Sequence, residues 1–244
     1  MIQHGADVNK ADRDGKTALH YLCASGDVDA SVVALMLQHG ADANKADIDG
    51  KTALHFLCGR GDDDASVVEL IIQHGADVNK ADRDGKTAIQ YLCERSGVDA
   101  SVVELMIQHG ADVNKADRDG KKALHYLCAS GDVDASVVAL MLQHGADANK
   151  ADIDGKTALH YLCARSGVDA SVVELMIQHG ADVNKADSWG KTAFHYLCAS
   201  GDVDASAVEL MIQQGADVNK ADFDGKTSFD FLCARVYQTS IYII

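Results

Sequence analysis

Proline is absent from all 244 residues, and tryptophan occurs once. The missing proline removes collagen-like segments and proline-rich linkers. Basic residues are scarce: 22 Lys plus Arg stand against 37 Asp plus Glu, for a net charge of −15. A chain this acidic repels phosphate backbones, which argues against a general nucleic-acid binder. It argues equally against an anionic membrane surface. No apolar run approaches the ~20 residues that a membrane span needs. The opening, Met1-Ile2-Gln3-His4-Gly5-Ala6-Asp7, has no basic stretch followed by an apolar one, so no secretory signal is visible. Apolar residues nonetheless make up 47% of the chain, ample for a core, so whole-chain disorder is excluded.

Cysteine is regular rather than scarce. Cys23, Cys58, Cys93, Cys128, Cys163, Cys198 and Cys233 are each separated by 35 residues. Seven is odd, and equal spacing marks one structural position used repeatedly, not a set of disulfide pairs. In a parallel stack, neighbouring copies stand farther apart than a disulfide tolerates. The thiols are expected to be small buried hydrophobes, which suits a reducing compartment, cytoplasmic or nuclear.

The same period governs nearly everything else. Gly15, Gly50, Gly85, Gly120, Gly155, Gly190 and Gly225 keep it. The stretch 117–151 differs from 12–46 only at Lys122, where the first has Thr17, as block duplication would leave it. A fixed period of this size indicates a solenoid, in which each unit buries its apolar face only against neighbours. Each unit carries two helical signals. Thr17 is placed to cap the first, Leu19, Leu22 and Cys23 form its apolar face, and Gly26 is expected to end it. Asp29 is placed to start the second, whose Val32, Val33, Leu35, Met36 and Leu37 are apolar nearly all round. A later start is the alternative, since Ser66-Val67-Val68-Glu69 also reads as a capping box, but the aspartate is favoured because its equivalents recur in all six complete units. Gly40 fits a left-handed C-terminal cap. Residues 41–50 are turn-rich and should cross to the next unit as a hairpin-like finger.

Asp12-x-x-Gly15-x-Thr17-x-Leu19-His20, then Gly26, then Val32-Val33-x-Leu35, then Gly40-Ala41-Asp42-x-Asn44 resemble the ankyrin repeat, and they do so in every unit. The resemblance implies an α-solenoid: an array of helix-turn-helix units joined by β-hairpin-like fingers. Ala18 stands where the family usually has Pro, Leu22-Cys23 replaces an alanine pair, and two extra residues around Asp27-Val28 lengthen the inter-helix turn. The expected organisation is a partial repeat at 1–11, six complete repeats at 12–46, 47–81, 82–116, 117–151, 152–186 and 187–221, a partial repeat at 222–235, and an off-pattern apolar tail at 236–244. The tail is uncharged and β-prone, an aggregation-type segment unless it folds over the last helix.

His20, His55, His125, His160 and His195 each precede a cysteine by three residues, a spacing that could place two zinc ligands on one helix face. Gln90 and Asp230 break that ladder. The family resemblance implies instead that this histidine ties the threonine backbone of its own unit to the neighbouring finger. Asp12-Arg13-Asp14-Gly15 has the opening of a calcium loop without the later ligands. Gly15-Lys16-Thr17 lacks the earlier glycine of a phosphate loop. A catalytic site is a unique constellation, whereas this chain repeats its Ser, His, Cys and Asp in unit after unit. No enzymatic activity, cofactor or metal is expected. A second ladder, His4, His39, His74, His109, His144 and His179, reads as solvated helix ends more readily than as a pH sensor.

Specificity in a repetitive framework must come from residues that break the repetition. In ankyrin-like arrays the finger tips and the exposed end of the first helix line a concave binding surface. The tips here are Arg13, Ile48, Arg83, Arg118, Ile153, Ser188 and Phe223, and Trp189 replaces the Asp that follows the tip in every other unit. Near the first-helix ends stand Arg60, Arg95 and Arg165. The expected function is therefore a protein–protein interaction module binding through Arg and aromatic contacts, with self-association through uncapped ends. The alternatives are a structural spacer, a fragment of a longer array, or the regulatory arm of a larger enzyme or effector.

Overall fold

The computed structural model describes residues 7–61 and 64–241, with side chains as far as Ala234. It divides into two compact units, Met1–Arg118 and Asp119–Ile244. In the first, the described residues form α1 (Ala18–Ala24), α2 (Ala30–Gln38), α3 (Ala53–Arg60), α4 (Ala65–Gln73), α5 (Ala88–Cys93) and α6 (Ala100–Gln108). In the second they form α7 (Ala123–Ala129), α8 (Ala135–Gln143), α9 (Ala158–Cys163), α10 (Ala170–Gln178), α11 (Ala193–Ala199), α12 (Ala205–Gln213) and α13 (Ser228–Ile241). This is the ankyrin-repeat solenoid fold.

Helices this short are marginal alone, so packing must hold them. Within each unit an odd-numbered helix packs on the next odd-numbered helix and even on even, as in α1 against α3 and α2 against α4, and likewise α7 against α9 and α8 against α10. Local chemistry fixes their ends. Asp29 stands at the N-cap of α2 and accepts the Ser31 amide at 2.8 Å, as expected for a start at the aspartate. At the other end the Gly40 amide reaches Leu37 O and the Ala41 amide reaches Met36 O, both at 3.0 Å, with Gly40 at φ +84. That is a Schellman closure.

The finger is organised by its first aspartate. Asp12 Oδ1 accepts the Asp14 and Lys16 amides, each at 2.9 Å, and its own amide donates to Lys16 O at 3.0 Å. The calcium-like spacing is thus a turn whose carboxylate is already occupied by backbone. Adjacent fingers are laced together. In the first unit Ile48 N donates to Asp14 O (2.9 Å) and Arg83 N to Asp49 O (2.8 Å); in the second, Ile153 N donates to Asp119 O (2.9 Å) and Ser188 N to Asp154 O (2.8 Å). An asparagine adds to this: Asn44 Nδ2 donates to Gly75 O and Asn44 Oδ1 accepts from the Asp77 amide, both at 2.7 Å.

The cysteines are free thiols. Six are buried in the core, and Cys233 is exposed. Three of the buried thiols lie 3.8 to 3.9 Å from a methionine sulfur on the second helix of the next repeat: Cys58 with Met106, Cys128 with Met176, Cys163 with Met211. Burial pushes the Cys23 and Cys128 thiols up to about 12 and Cys198 to about 11, so they stay protonated at neutral pH. A thiol reagent should therefore titrate Cys233 quickly and the other six only after unfolding. Several fast thiols in the native protein would contradict this burial.

Three expectations change. Helix α1 ends at Ala24 with Ser25 as an extended C-cap, and the glycine that follows lies beyond the helix. Near this helix end glycine is left-handed at Gly61, Gly97 and Gly167, one or two residues after Arg60, Arg95 and Arg165. The second helices are not buried all round: Val32 and Leu35 of α2 are 40% and 48% exposed. Val67 and Val102, the counterparts of Val32, are 0% and 1% exposed, while Leu70 and Leu105, the counterparts of Leu35, are half-buried. Finally, the expected tail does not begin a new conformation at 236; its backbone continues α13 to Ile241. Residues 1–6 of the first partial repeat and 242–244 of the tail lie outside the described residues.

Candidate protein-binding face

In the first unit the finger tips present Arg13, Arg83 and Arg118 to solvent, with Ile48 at 48% exposure. In the second unit they present Ile153 at 69%, Trp189 at 48% and Phe223 at 80%. These three stand on successive fingers, and the Phe223 amide donates to Trp189 O at 3.0 Å. The Phe223 ring lies over Gly190, where an added Cβ would come within 2.7 Å of it. Trp189 is half-covered: the Lys156 ammonium lies 5.3 Å from its ring centroid, 5.1 Å from Tyr196 and 5.8 Å from Tyr161. Such cation–π contacts hold the indole in place while leaving an edge open.

Lys156 belongs to a ladder that sequence reasoning missed, although its period is visible. Lys16 stands 5.2 Å from Phe56, Lys51 5.0 Å from Tyr91, Lys121 5.3 Å from Tyr161 and Lys191 4.9 Å from Phe231. Each ammonium covers the aromatic ring of the following repeat. The tyrosine hydroxyls in turn reach the finger aspartate of their own repeat: Tyr21 to Asp12 (2.5 Å), Tyr91 to Asp82 (2.7 Å), Tyr161 to Asp152 and Tyr196 to Asp187 (both 2.6 Å). That bond is the chief influence holding Asp12 below the usual carboxylate range.

Where the aromatic is Phe56 or Phe231, the hydroxyl is missing. Asp47 Oδ2 and Asp222 Oδ2 are then buried with no partner among the described residues. A buried unsatisfied acceptor is costly. Phe56→Tyr should consequently stabilise the protein by about 1 kcal/mol, and Tyr91→Phe should destabilise it by a similar amount. Denaturant melts of the two variants test this, and a Phe56→Tyr variant less stable than the parent would overturn it.

The first-helix arginines are partly exposed and also bond to main chain. Arg60 Nη1 donates to Ser25 O, Arg95 Nη1 to Cys58 O at 3.0 Å, and Arg165 Nη2 to Gly131 O. Each guanidinium ties its repeat to the end of the preceding first helix. A cleft of about 260 Å³ opens beside Arg60, where Gly59 leaves room between Phe56 and Tyr91.

The His-x-x-Cys pairs are hydrogen-bonding devices. His20 Nδ1 accepts the Thr17 amide at 3.0 Å, which leaves the proton on Nε2, and Nε2 donates to Lys51 O at 3.1 Å. His55, His160 and His195 repeat the arrangement, and His125 does so with the Lys122 amide. Both ring nitrogens are used, so neither offers a lone pair to a metal, and the cysteines point into the core. Gln90 imitates the same tautomer, its Oε1 accepting the Thr87 amide at 2.7 Å and its Nε2 donating to Lys115 O at 3.3 Å. Asp230 accepts from Thr227 at 2.7 Å and has no hydrogen to pass on. Lys122, in place of threonine, spends its ammonium on Gly120 O at 2.7 Å. In the second histidine ladder His39, His74, His109, His144 and His179 are exposed and His4 lies outside the described residues; His74 Nδ1 donates to Leu70 O at 2.8 Å, back along its own helix.

A family described as "Ankyrin repeats (3 copies)" matches residues 1–82, 29–117, 57–152, 94–187, 131–222 and 161–238 in overlapping registers. No curated protein matches the sequence. Among solved structures, the chain is similar to the ankyrin repeat domain of Bcl-3, described as a unique member of the IkappaB protein family. The identity is 27% and the TM-score 0.69, over 88% of this chain and 93% of that one.

Proposed function

The chain belongs to the ankyrin repeat family, and from that premise we propose that it is a non-enzymatic module whose finger tips and adjoining first helices bind another protein. Ankyrin repeats are in general protein-interaction modules. The observation that carries the proposal is the row Ile153, Trp189 and Phe223, three exposed apolar tips on successive fingers of an acidic chain. Isolated exposed apolar residues need no explanation, but a contiguous row marks an interaction site. Arg13, Arg83 and Arg118 supply the polar contacts of the first unit. Arg60, Arg95 and Arg165 contribute by fixing the surface, since their guanidinium groups are tied to neighbouring carbonyls. The 35-residue unit boundaries and a reducing compartment belong to the same proposal. No helix among the described residues is long and apolar enough to cross a membrane, and the negative charge keeps nucleic acid out of the partner list.

Trp189→Ala should weaken partner binding by about 2 kcal/mol or more, roughly thirtyfold. Its effect on folding should stay below about 1 kcal/mol, the scale of the lost contact with Lys156. Calorimetry with a partner captured by cross-linking in native lysate, alongside denaturant melts, measures both. Unchanged affinity would remove this row from the binding face.

A further inference from the structure

The cleft of about 260 Å³ beside α3 is lined by two cations, Lys51 on the finger and Arg60 in the last turn of the helix, and by the rings of Phe56 and Tyr91. Gly59 is exposed at its edge, and a Cβ there would stand 3.4 Å from Tyr91 Cδ1. Other repeats hold Ala24, Glu94, Ala129, Ala164, Ala199 or Ala234 at this position, so this repeat alone sets a glycine before its arginine. Helix α3 also runs on through Arg60, whereas α5 and α9 stop at Cys93 and Cys163, ahead of their arginines. The guanidinium is only partly used. Nη1 donates to Ser25 O, and Nε is buried with no partner among the described residues. A buried donor left without an acceptor is costly. Carboxylates close by are engaged with other donors. Asp64 accepts the Ser66 and Val67 amides at 3.0 and 3.3 Å, Asp82 accepts the Tyr91 hydroxyl at 2.7 Å, and Glu94 accepts from Lys86 at 2.9 Å. Asp47 is buried outside the cleft lining, with its Oδ1 on the Asp49 and Lys51 amides.

We propose that this cleft receives the carboxylate of an acidic side chain from the bound partner. The site rests on the reading of finger tips and first helices as the protein-binding face, and it gives that face a chemistry. The carboxylate takes the Nε and Nη2 edge of Arg60, with Lys51 as the second cation and the methylenes of its side chain between the two rings. A planar guanidinium matches a carboxylate by two parallel hydrogen bonds, and the Nε and Nη2 edge is not the one that serves Ser25. Because Nε is covered in the free protein, the guanidinium turns toward the arriving carboxylate, and the bond it gains is one it lacked. An amide side chain could satisfy Nε but would leave both cations without a counter-charge, so the acid is selected. The cleft takes a side chain and not a helix, which is about 10–12 Å across. Lys51 follows the tip Ile48 on the same finger, so the cleft adjoins the proposed face.

Two kinds of probe test this on the full chain. N-acetyl-glutamate N-methylamide carries the acidic side chain alone, and its glutamine counterpart is neutral and of nearly the same shape. Titrated into isotope-labelled protein, the glutamate compound should shift the Arg60 Nε–H resonance saturably, and the glutamine compound should need at least tenfold more. Gly59→Glu copies Glu94 of the next repeat, so folding is retained; it sets a carboxylate at the edge of the cleft and should abolish the shift. The second probe is a set of peptides selected from a random display library on the full chain. Those that lose affinity at least tenfold to Gly59→Glu should each carry a Glu or Asp whose change to the amide costs as much. That change should cost nothing further in Arg60→Ser, which copies Ser25 and Ser130. An equal response to both small compounds, or a sulfate ion that matches the glutamate compound, overturns the proposal. Peptides that bind but ignore Gly59→Glu overturn it too and leave the protein-binding reading standing; if the glutamate compound still shifts Arg60, the cleft belongs to a free carboxylate. A library that yields no binding peptide overturns both readings together.

Discussion

Gly50→Ala should destabilise the protein by about 3 kcal/mol, well beyond what glycine loss costs at a helix end with open space around it. Two terms add. Gly50 has φ +83, where an L side chain costs about 1–2 kcal/mol. A Cβ there would also stand 2.9 Å from the Arg83 amide nitrogen and 3.1 Å from Asp82 Cα, and both are backbone. No rotamer change relieves that collision. The Arg83 amide is the one that donates to Asp49 O at 2.8 Å, so pushing it away breaks a finger-to-finger bond as well. Gly40 supplies the control: its φ is +84, but nothing lies within 4 Å of its added Cβ. Gly40→Ala should show the conformational cost alone, about 1–2 kcal/mol. Urea melts of the two variants give the difference, and equal losses would show that the fingers yield freely to one another.

Acidification below about pH 6.5 should cost stability, and the buried histidines should account for it. Burial lowers the folded values of His55, His125 and His160 below the ordinary 6.5. Below 6.5 the unfolded chain therefore binds more protons than the folded one, and stability falls with pH. The contribution is complete above 6.5 and is lost as pH descends through the lowered folded values. The capping aspartates Asp29, Asp64, Asp134 and Asp204 are held below 3.8, chiefly by the serine hydroxyl two residues on, so they act only in stronger acid. Protonating Nδ1 also breaks the bond it accepts from the threonine amide. His55→Gln, patterned on Gln90, keeps the acceptor and the donor and removes the proton site. It should cost under about 1 kcal/mol at pH 7.5 and flatten the loss on going to pH 5. His55→Ala removes the bonds to the Thr52 amide and to Lys86 O and should cost about 3 kcal/mol at pH 7.5 and less at pH 5, where the parent has already lost part of what His55 contributes. Stability that rises on acidification, or a His55→Gln variant as acid-sensitive as the parent, would refute this account.

The parts of the fold that repeat were legible because repetition turns one local signal into several. Asp29 and Gly40 read correctly as helix ends since each acts on backbone within its own turn. What escaped depends on residues meeting across the repeat. Tyr21 and Asp12 are nine apart in sequence and touch only once the finger folds back on the helix. Arg60, Arg95 and Arg165 read as partner contacts in the sequence, and nothing there shows that they also reach backwards by about one period to main-chain carbonyls. The run of α13 past Ala234 escaped because an apolar, β-branched segment has no helical period to read, and attachment to an existing helix overrides its propensity. At the candidate face, the tips were located by where repetition fails; the lysine that clasps Trp189 was hidden by being the same in every unit.

The ties between repeats share one property. His20 donates to Lys51 O, Asn44 to Gly75 O and Arg95 to Cys58 O, and the adjoining fingers meet backbone to backbone. At the receiving end of each bond is a peptide group, which every residue type carries. Through these bonds a repeat recognises its neighbour's main chain, and the side chains that also meet across the seam, lysine on aromatic ring and cysteine on methionine, recur at the same places in other units. Recombination within the gene that inserts, removes or transposes a whole unit creates a junction as well bonded as the old ones. The binding face can in this way be lengthened or reshuffled in blocks, with no compensating change required on either side of the seam.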